Sequence, residues 1–251
     1  MNKKFLITFF FALFLLMFFF LLNKETTGKI SINYKVVEYK IPIYLKLSDF
    51  FERYYEYKYL VKKINFEHGN KKDIILNTSK WINLNIKKIP KGVDVIDYHP
   101  LTIIKRRLGE QDQFNDILSI LLVYQDIDSF FIERFKDINH PLTLFKLNNY
   151  WSIIDPYYGY YFINEYQNLA SIEELKISDW EIINLKNDKK INPTLINNYE
   201  EIRSSYQKIF NNLPSSIEID DTHIFERSGR SYTQKPISRL YYEVYKKFKD
   251  F

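Results

Sequence analysis

From Phe5 to Leu22 the chain is apolar at every position except Thr8, and that run limits the fold before anything else does. As a helix it would extend about 27 Å, close to the hydrocarbon thickness of a bilayer, where a segment must satisfy its own backbone hydrogen bonds. Lys3 and Lys4 in front of it favour a cytoplasmic N-terminus, although Lys24 and Lys29 on the far side weaken that bias. Asn23-Lys24-Glu25-Thr26-Thr27 contains no small-x-small cleavage site, which favours a retained signal-anchor over a cleaved signal peptide. The expectation is a membrane anchor and tether over residues 1–28, with residues 5–22 as a transmembrane helix. A single domain over residues 29–251 would then lie on the extracytoplasmic side.

The rest of the chain is long enough for one domain with a sizeable core, and two would be cramped, given 251 residues of which 46% are hydrophobic. The net charge of +5 comes from lysines scattered among acidic residues, not from a basic stripe, so nucleic acid is not an expected partner. With 0 cysteines, disulfides, thiolate catalysis and zinc–thiolate sites are excluded. Phosphate loops, dinucleotide fingerprints and serine-hydrolase elbows are absent from the sequence, and no cofactor is expected.

Alternation through Lys29 to Leu47, with Ile30, Ile32, Tyr34 and Val36 on one side and Pro42 as an interruption, predicts one or two edge strands. Ser48-Asp49 is positioned to cap a helix over Phe50 to Lys63, and Asp73 to Lys88 predicts another, with Ile75, Trp81, Ile82 and Ile86 facing a core. His68 belongs to a polar turn, and Pro90 to Pro100 to a loop. Further on, Ser171-Ile172-Glu173-Glu174 has the cap-and-acid pattern of a helix start. Leu195 to Asn211 and Pro236 to Phe251 predict two more helices. The fold class is α+β, with helices packed on an antiparallel sheet.

The centre of the chain is Lys105 to Asp155. A glycine turn at Gly109 opens an amphipathic run with Phe114, Ile117, Leu118, Leu121 and Leu122 at helical spacing. Ser129 to Phe135 reads as a strand. His140 heads Pro141 to Leu147, Asn148-Asn149 makes a turn, and Tyr150 to Asp155 returns as its partner. A hairpin of that length brings His140 roughly level with Asp155, the proximity an imidazole and its orienting carboxylate need.

With Trp151 four residues before Asp155-Pro156, this segment resembles the transglutaminase-like superfamily over roughly residues 70–165. The resemblance implies a papain-like core in which a cysteine opens a buried helix while His140 and Asp155 complete the triad from adjacent strands. The family's Gly-x-Cys-x-x-Phe is here Gly109-Glu110-Gln111-Asp112-Gln113-Phe114, so Gln111 occupies the nucleophile position. An amide supplies no thiolate and forms no acyl intermediate. The nearest hydroxyl, Ser119, lies about two turns further into the helix, where it would be buried. The resemblance therefore implies a pseudoenzyme, with His140 and Asp155 as a relict dyad.

Tyr157, Tyr158, Tyr160 and Tyr161 allow two readings, alternating strand packing or an aromatic platform for sugar rings or aliphatic chains. Trp151, Tyr157 and Tyr158 are the candidate ligand-binding residues. An Asp-Pro-x-Tyr-Gly continuation of this kind is seen in several bacterial relatives, which implies a cell-envelope or exopolysaccharide context. An envelope protein or polysaccharide ligand is the expected partner. Glu218, Asp220, Asp221, His223 and Glu226 could ligate a metal by residue type, but they lie in a polar connecting stretch and no metal site is expected there. The alternative function is a hydrolase or transferase in which His140 and Asp155 activate water or a substrate hydroxyl directly.

Overall fold

The computed structural model describes residues 3–32, 35–65, 69–90, 92–93, 99–132, 140–177, 179–191, 198–221, 235 and 237–241. Helix α1 (Lys3–Asn23) contains the apolar run, and no residue of its membrane-length window is buried. It is long and apolar enough to cross a membrane. Strands β1 (Glu25–Ile32) and β2 (Lys35–Pro42) form an antiparallel hairpin running from the pair Glu25↔Pro42 to Ile32↔Lys35. Thr26 to Gly28, expected as tether, are therefore strand.

Pro42 does not interrupt a strand but ends one. Its φ of −59° and missing N–H suit the residue before a helix, and α2 (Ile43–Ile64) starts immediately after it. Ser48 and Asp49, expected as the cap, lie inside that helix. The Ile43 N–H donates to the Lys24 carbonyl at 3.1 Å, so the hairpin returns the chain to the foot of α1.

Helix α3 (Lys71–Asn85) begins under an Asn70 side chain that accepts from the Asp73 N–H at 2.9 Å. It stops short of the expected Lys88 because Ile86 turns extended and leads into β3 (Lys87–Lys88). His68 and most of the expected 90–100 loop lie outside the described residues. Helix α4 (Pro100–Arg106) has proline in its first turn and ends at Arg107, whose φ is 59°. Strand β4 (Leu108–Gly109) pairs in parallel with β3 and leads into α5 (Gln111–Val123), the helix expected after Gly109. Glu110 and Gln113 form a reciprocal capping box at its start, and every residue from Gln113 to Val123 is buried.

The remaining elements are β5 (Ser129–Ile132), β6 (Leu142–Leu147), β7 (Tyr150–Asp155), β8 (Tyr160–Asn164), α6 (Ile172–Ile177), β9 (Trp180–Asn184), β10 (Lys189–Lys190), α7 (Tyr199–Asn212) and α8 (Ser216–Asp221). The six strands form one antiparallel sheet in the order β10-β9-β8-β7-β6-β5. Ser171 and Glu174 cap α6 reciprocally, as their spacing predicts. Strands β9 and β10 were not anticipated. The C-terminal helix is present over residues 237–241, and the rest of its expected span lies outside the described residues, as do His223 and Glu226.

Side-chain alternation sorts the sheet into two faces. Phe145, Leu147, Ile154, Tyr161, Ile163 and Ile183 bury against α5 and its neighbours. Leu142, Leu144, Trp151, Ile153, Phe162 and Ile182 bury on the opposite face with Tyr206, Ile209 and Phe210 of α7. The domain is α+β, with helices on both faces of an antiparallel sheet. Trp81, expected in the core, is half-buried at the edge of the first cluster.

Candidate functional site

The site starts from the β6–β7 hairpin. Its turn needs a residue with positive φ, and Asn148 supplies it at 56°. The register then pairs Leu147 with Tyr150 and Thr143 with Ile154. Continued by one pair it sets Leu142 opposite Asp155, which makes His140 a diagonal neighbour of that carboxylate on the same face. His140 Nε2 lies 2.9 Å from Asp155 Oδ2.

Asp155 is fully buried, and its partners explain how a carboxylate survives there. Oδ1 accepts from the backbone N–H groups of Tyr157 at 3.1 Å and Tyr158 at 3.0 Å. Oδ2 accepts from the Tyr206 hydroxyl at 2.8 Å in addition to the imidazole. An acceptor so placed holds the Nε2 tautomer as its donor and leaves Nδ1 as the ring nitrogen able to take a proton. Burial, and next to it the Asp155 carboxylate, push the Tyr206 phenol well above its usual range, so it remains a donor. The imidazole also stacks on Tyr158, with centroids 5.7 Å apart and planes 10° from parallel. Tyr206 meets it edge-on at 5.6 Å.

Tyr206 escaped the sequence reading. The signal was a tyrosine in the buried stripe of α7 beside Tyr199, Ile209 and Phe210, because a buried phenol requires a partner for its hydroxyl. Nothing local identified that partner as Asp155.

Gln111 is the first residue of α5. The Asn115 amide one turn on donates to the Gln111 carbonyl at 2.8 Å and to the Pro141 carbonyl at 3.1 Å. Thr143 Oγ1 closes the link by donating to Asn115 Oδ1 at 2.8 Å. One side chain thus ties the start of α5 to the residue after His140. Gln111 Nε2 is buried without a hydrogen-bond acceptor among the described residues. It does not bond to His140 or Asp155, and Asp155 turns instead toward the α7 face. Ser119 is fully buried and donates to the Asp116 carbonyl at 2.8 Å, so it offers no substitute nucleophile.

Trp151 is not a ligand-binding residue in this arrangement. It is fully buried, meets Phe130 edge-on at 5.4 Å, and donates from Nε1 to Asp220 Oδ1 at 2.9 Å. Its spacing from Asp155 puts both on one face, but four residues back along β7 that face is covered by core. Asp220 also accepts from Lys146 Nζ at 2.8 Å, so within 218–221 this acidic residue ties the sheet to α8. Among the described residues no cluster of three or more metal-ligating side chains occurs.

Tyr157 and Tyr158 do line a cleft, of about 390 Å³, with Asn83, Leu84, Ile86, Lys87, Lys88, Phe114, Asn184 and Lys186. It opens beside the dyad, and Gln111, His140 and Asp155 do not form its wall. Gly159, at φ 75°, makes the corner possible, because a Cβ there would sit 2.9 Å from the Asn83 amide nitrogen. That nitrogen donates to the Pro156 carbonyl at 2.8 Å and braces the turn carrying both tyrosines.

No protein-family model matches this chain, and no curated protein matches it. A crystal structure of a Parabacteroides distasonis protein provisionally described as a protease is similar at 13% identity and a TM-score of 0.32. The match covers 66% of this chain but only 40% of the other protein, a likeness too distant to assign a family. The class defined by the fold and site is accordingly an α+β domain, behind an apolar helix, with a buried carboxylate paired to a half-buried imidazole. Such a pair can orient a ligand or move one proton at Nδ1.

Proposed function

We propose that this protein is a membrane-anchored, transglutaminase-like domain without acyl-transfer chemistry, a pseudoenzyme that binds a ligand or partner in the cell envelope. The observation that carries the reading is the 2.9 Å contact between His140 and Asp155, at the two strands of one hairpin, in a chain whose nucleophile position holds Gln111. The pair retains what a triad needs to hold a tautomer, but a carboxamide is no nucleophile toward an acyl carbon. A polysaccharide or an envelope protein on the extracytoplasmic side fits this reading.

The wild-type chain is expected to release no ammonia from glutamine peptides, transfer no amine and hydrolyse no peptide or acyl ester. His140→Ala should be indistinguishable from it in all three assays. Wild-type turnover that disappears in His140→Ala would favour the alternative, in which Nδ1 takes a proton from water or a substrate hydroxyl without a covalent intermediate.

The anchor has its own test. Because α1 is uncovered and apolar over the length of a bilayer core, the full chain should stay with membranes through an alkaline carbonate wash. A form beginning at Lys29 should leave them. Recovery of a shortened mature chain from the soluble extracytoplasmic fraction would overturn the retained anchor.

A further inference from the structure

The cleft beside the dyad has an unusual lining. Lys87, Lys88 and Lys186 contribute to its wall, and no carboxylate among the described residues does. Lys88 is held firmly for a lysine. Its backbone is paired with Gly109, and the following Ile89 N–H donates to the Gly109 carbonyl at 3.2 Å. Its ammonium lies 4.2 Å from the centre of the Tyr157 ring and 4.6 Å from that of Tyr158.

Those contacts change the role of the two rings. Tyr158 is already stacked on His140 and lies near-parallel to Tyr160, with centroids 6.4 Å apart, while Tyr157 packs edge-on against Phe114 at 5.2 Å. Instead of offering free faces to a sugar, they position a cation. Burial depresses the Lys88 pKa and the Lys186 charge depresses it further, with Asp155 opposing both. Asp155 is buried behind the turn with its oxygens already engaged, and it does not line the cleft. An anion entering between the lysines would relieve their mutual repulsion.

We propose that this cleft is an anion-binding site, taking a carboxylate or phosphate group between Lys88 and Lys186, with Lys87 at its margin. Its volume, at about 390 Å³, is at the lower end of the range for small-ligand sites and fits one anionic unit of a larger molecule. The inference deepens the ligand-binding reading by naming the chemistry of the ligand, and it rests on that reading only for the ligand's biological source.

Calorimetric titration of the full chain in neutral detergent tests it with two probes, inorganic phosphate and a galacturonate oligomer, and with a neutral glucan as control. At least one anion should bind, the neutral glucan should not, and affinity should fall as salt rises. The Lys88→Met/Lys186→Met double variant should weaken binding by about tenfold or more, because it removes both charges and keeps the apolar stems. Phosphate binding alone would identify a phosphorylated ligand, and galacturonate binding alone a carboxylated one. Absence of anion binding, glucan binding of equal strength, or anion binding unchanged in the double variant would each overturn the proposal. The wild-type turnover assays separate the two claims: anion binding that the double variant weakens stands whether or not the wild-type protein turns out to have catalytic activity.

Discussion

Asp155→Ala is expected to destabilise the domain by about 3–5 kcal/mol, the range for removing one partner from a buried charged network. The carboxylate is fully buried and receives four donors: the N–H groups of Tyr157 and Tyr158, the Tyr206 hydroxyl and the His140 ring. Alanine strands all four at once. The Tyr206 hydroxyl is the worst placed, since it is buried in the sheet–α7 core and has no solvent to turn to. The turn bearing Tyr157 and Tyr158 loses the acceptor that organises it, so the damage should spread to the cleft. Asp155→Asn should cost less, on the order of 1–3 kcal/mol, because its remaining carbonyl oxygen still accepts while its amide group faces donors. In thermal melts of the full chain in detergent, Asp155→Ala should melt about 10 °C below wild type, with Asp155→Asn between them. A loss of less than about 1 kcal/mol for alanine would mean that the four contacts do not form as described.

The elements legible in the sequence were those fixed by short-range chemistry. The hairpin from Leu142 to Asp155 is set by alternation and by Asn148, and that register delivered the His140–Asp155 contact. The start of α6 followed from the reciprocal Ser171 and Glu174 bonds. Where two local signals competed, the choice went wrong. Pro42 could break a strand or precede a helix, and Ser48-Asp49 looked like a cap, yet the helix nucleates at Ile43 and runs through both.

Partners brought from a distance were not legible. Tyr206 reaches Asp155 from α7, and Asp220 reaches Trp151 from α8, which turns an expected ligand-binding tryptophan into a buried support. The two tyrosines after Asp155, expected as ligand-binding residues, line a cleft, and their rings also meet the Lys88 ammonium. Lys88, which occupies their faces, comes from a two-residue strand that the sequence had assigned to the end of a helix.

Gln111→Cys asks whether the start of α5 and the dyad still form the geometry of a triad. Asn115 bonds both the Gln111 carbonyl and the Pro141 carbonyl, so the first turn of α5 is tied to the residue that follows His140. Asp155 holds Nε2, leaving Nδ1 for a neighbour. A thiol there would sit at a helix N-terminus and, on the relict-triad account, beside an imidazole able to accept its proton, two features that lower a cysteine pKa from about 8.5 into the range of about 3.5–7.5. The chain has 0 cysteines of its own, so every label added reports this one site. The rate at neutral pH is a weak readout, because a thiolate with a low pKa is also a poorer nucleophile and the two effects partly cancel. The pH dependence is not subject to that cancellation. Iodoacetamide alkylation of Gln111→Cys measured across pH should have its midpoint below about 7, and adding His140→Ala should return it toward about 8.5. A midpoint near 8.5 in Gln111→Cys, unchanged by His140→Ala, would contradict the relict-triad account.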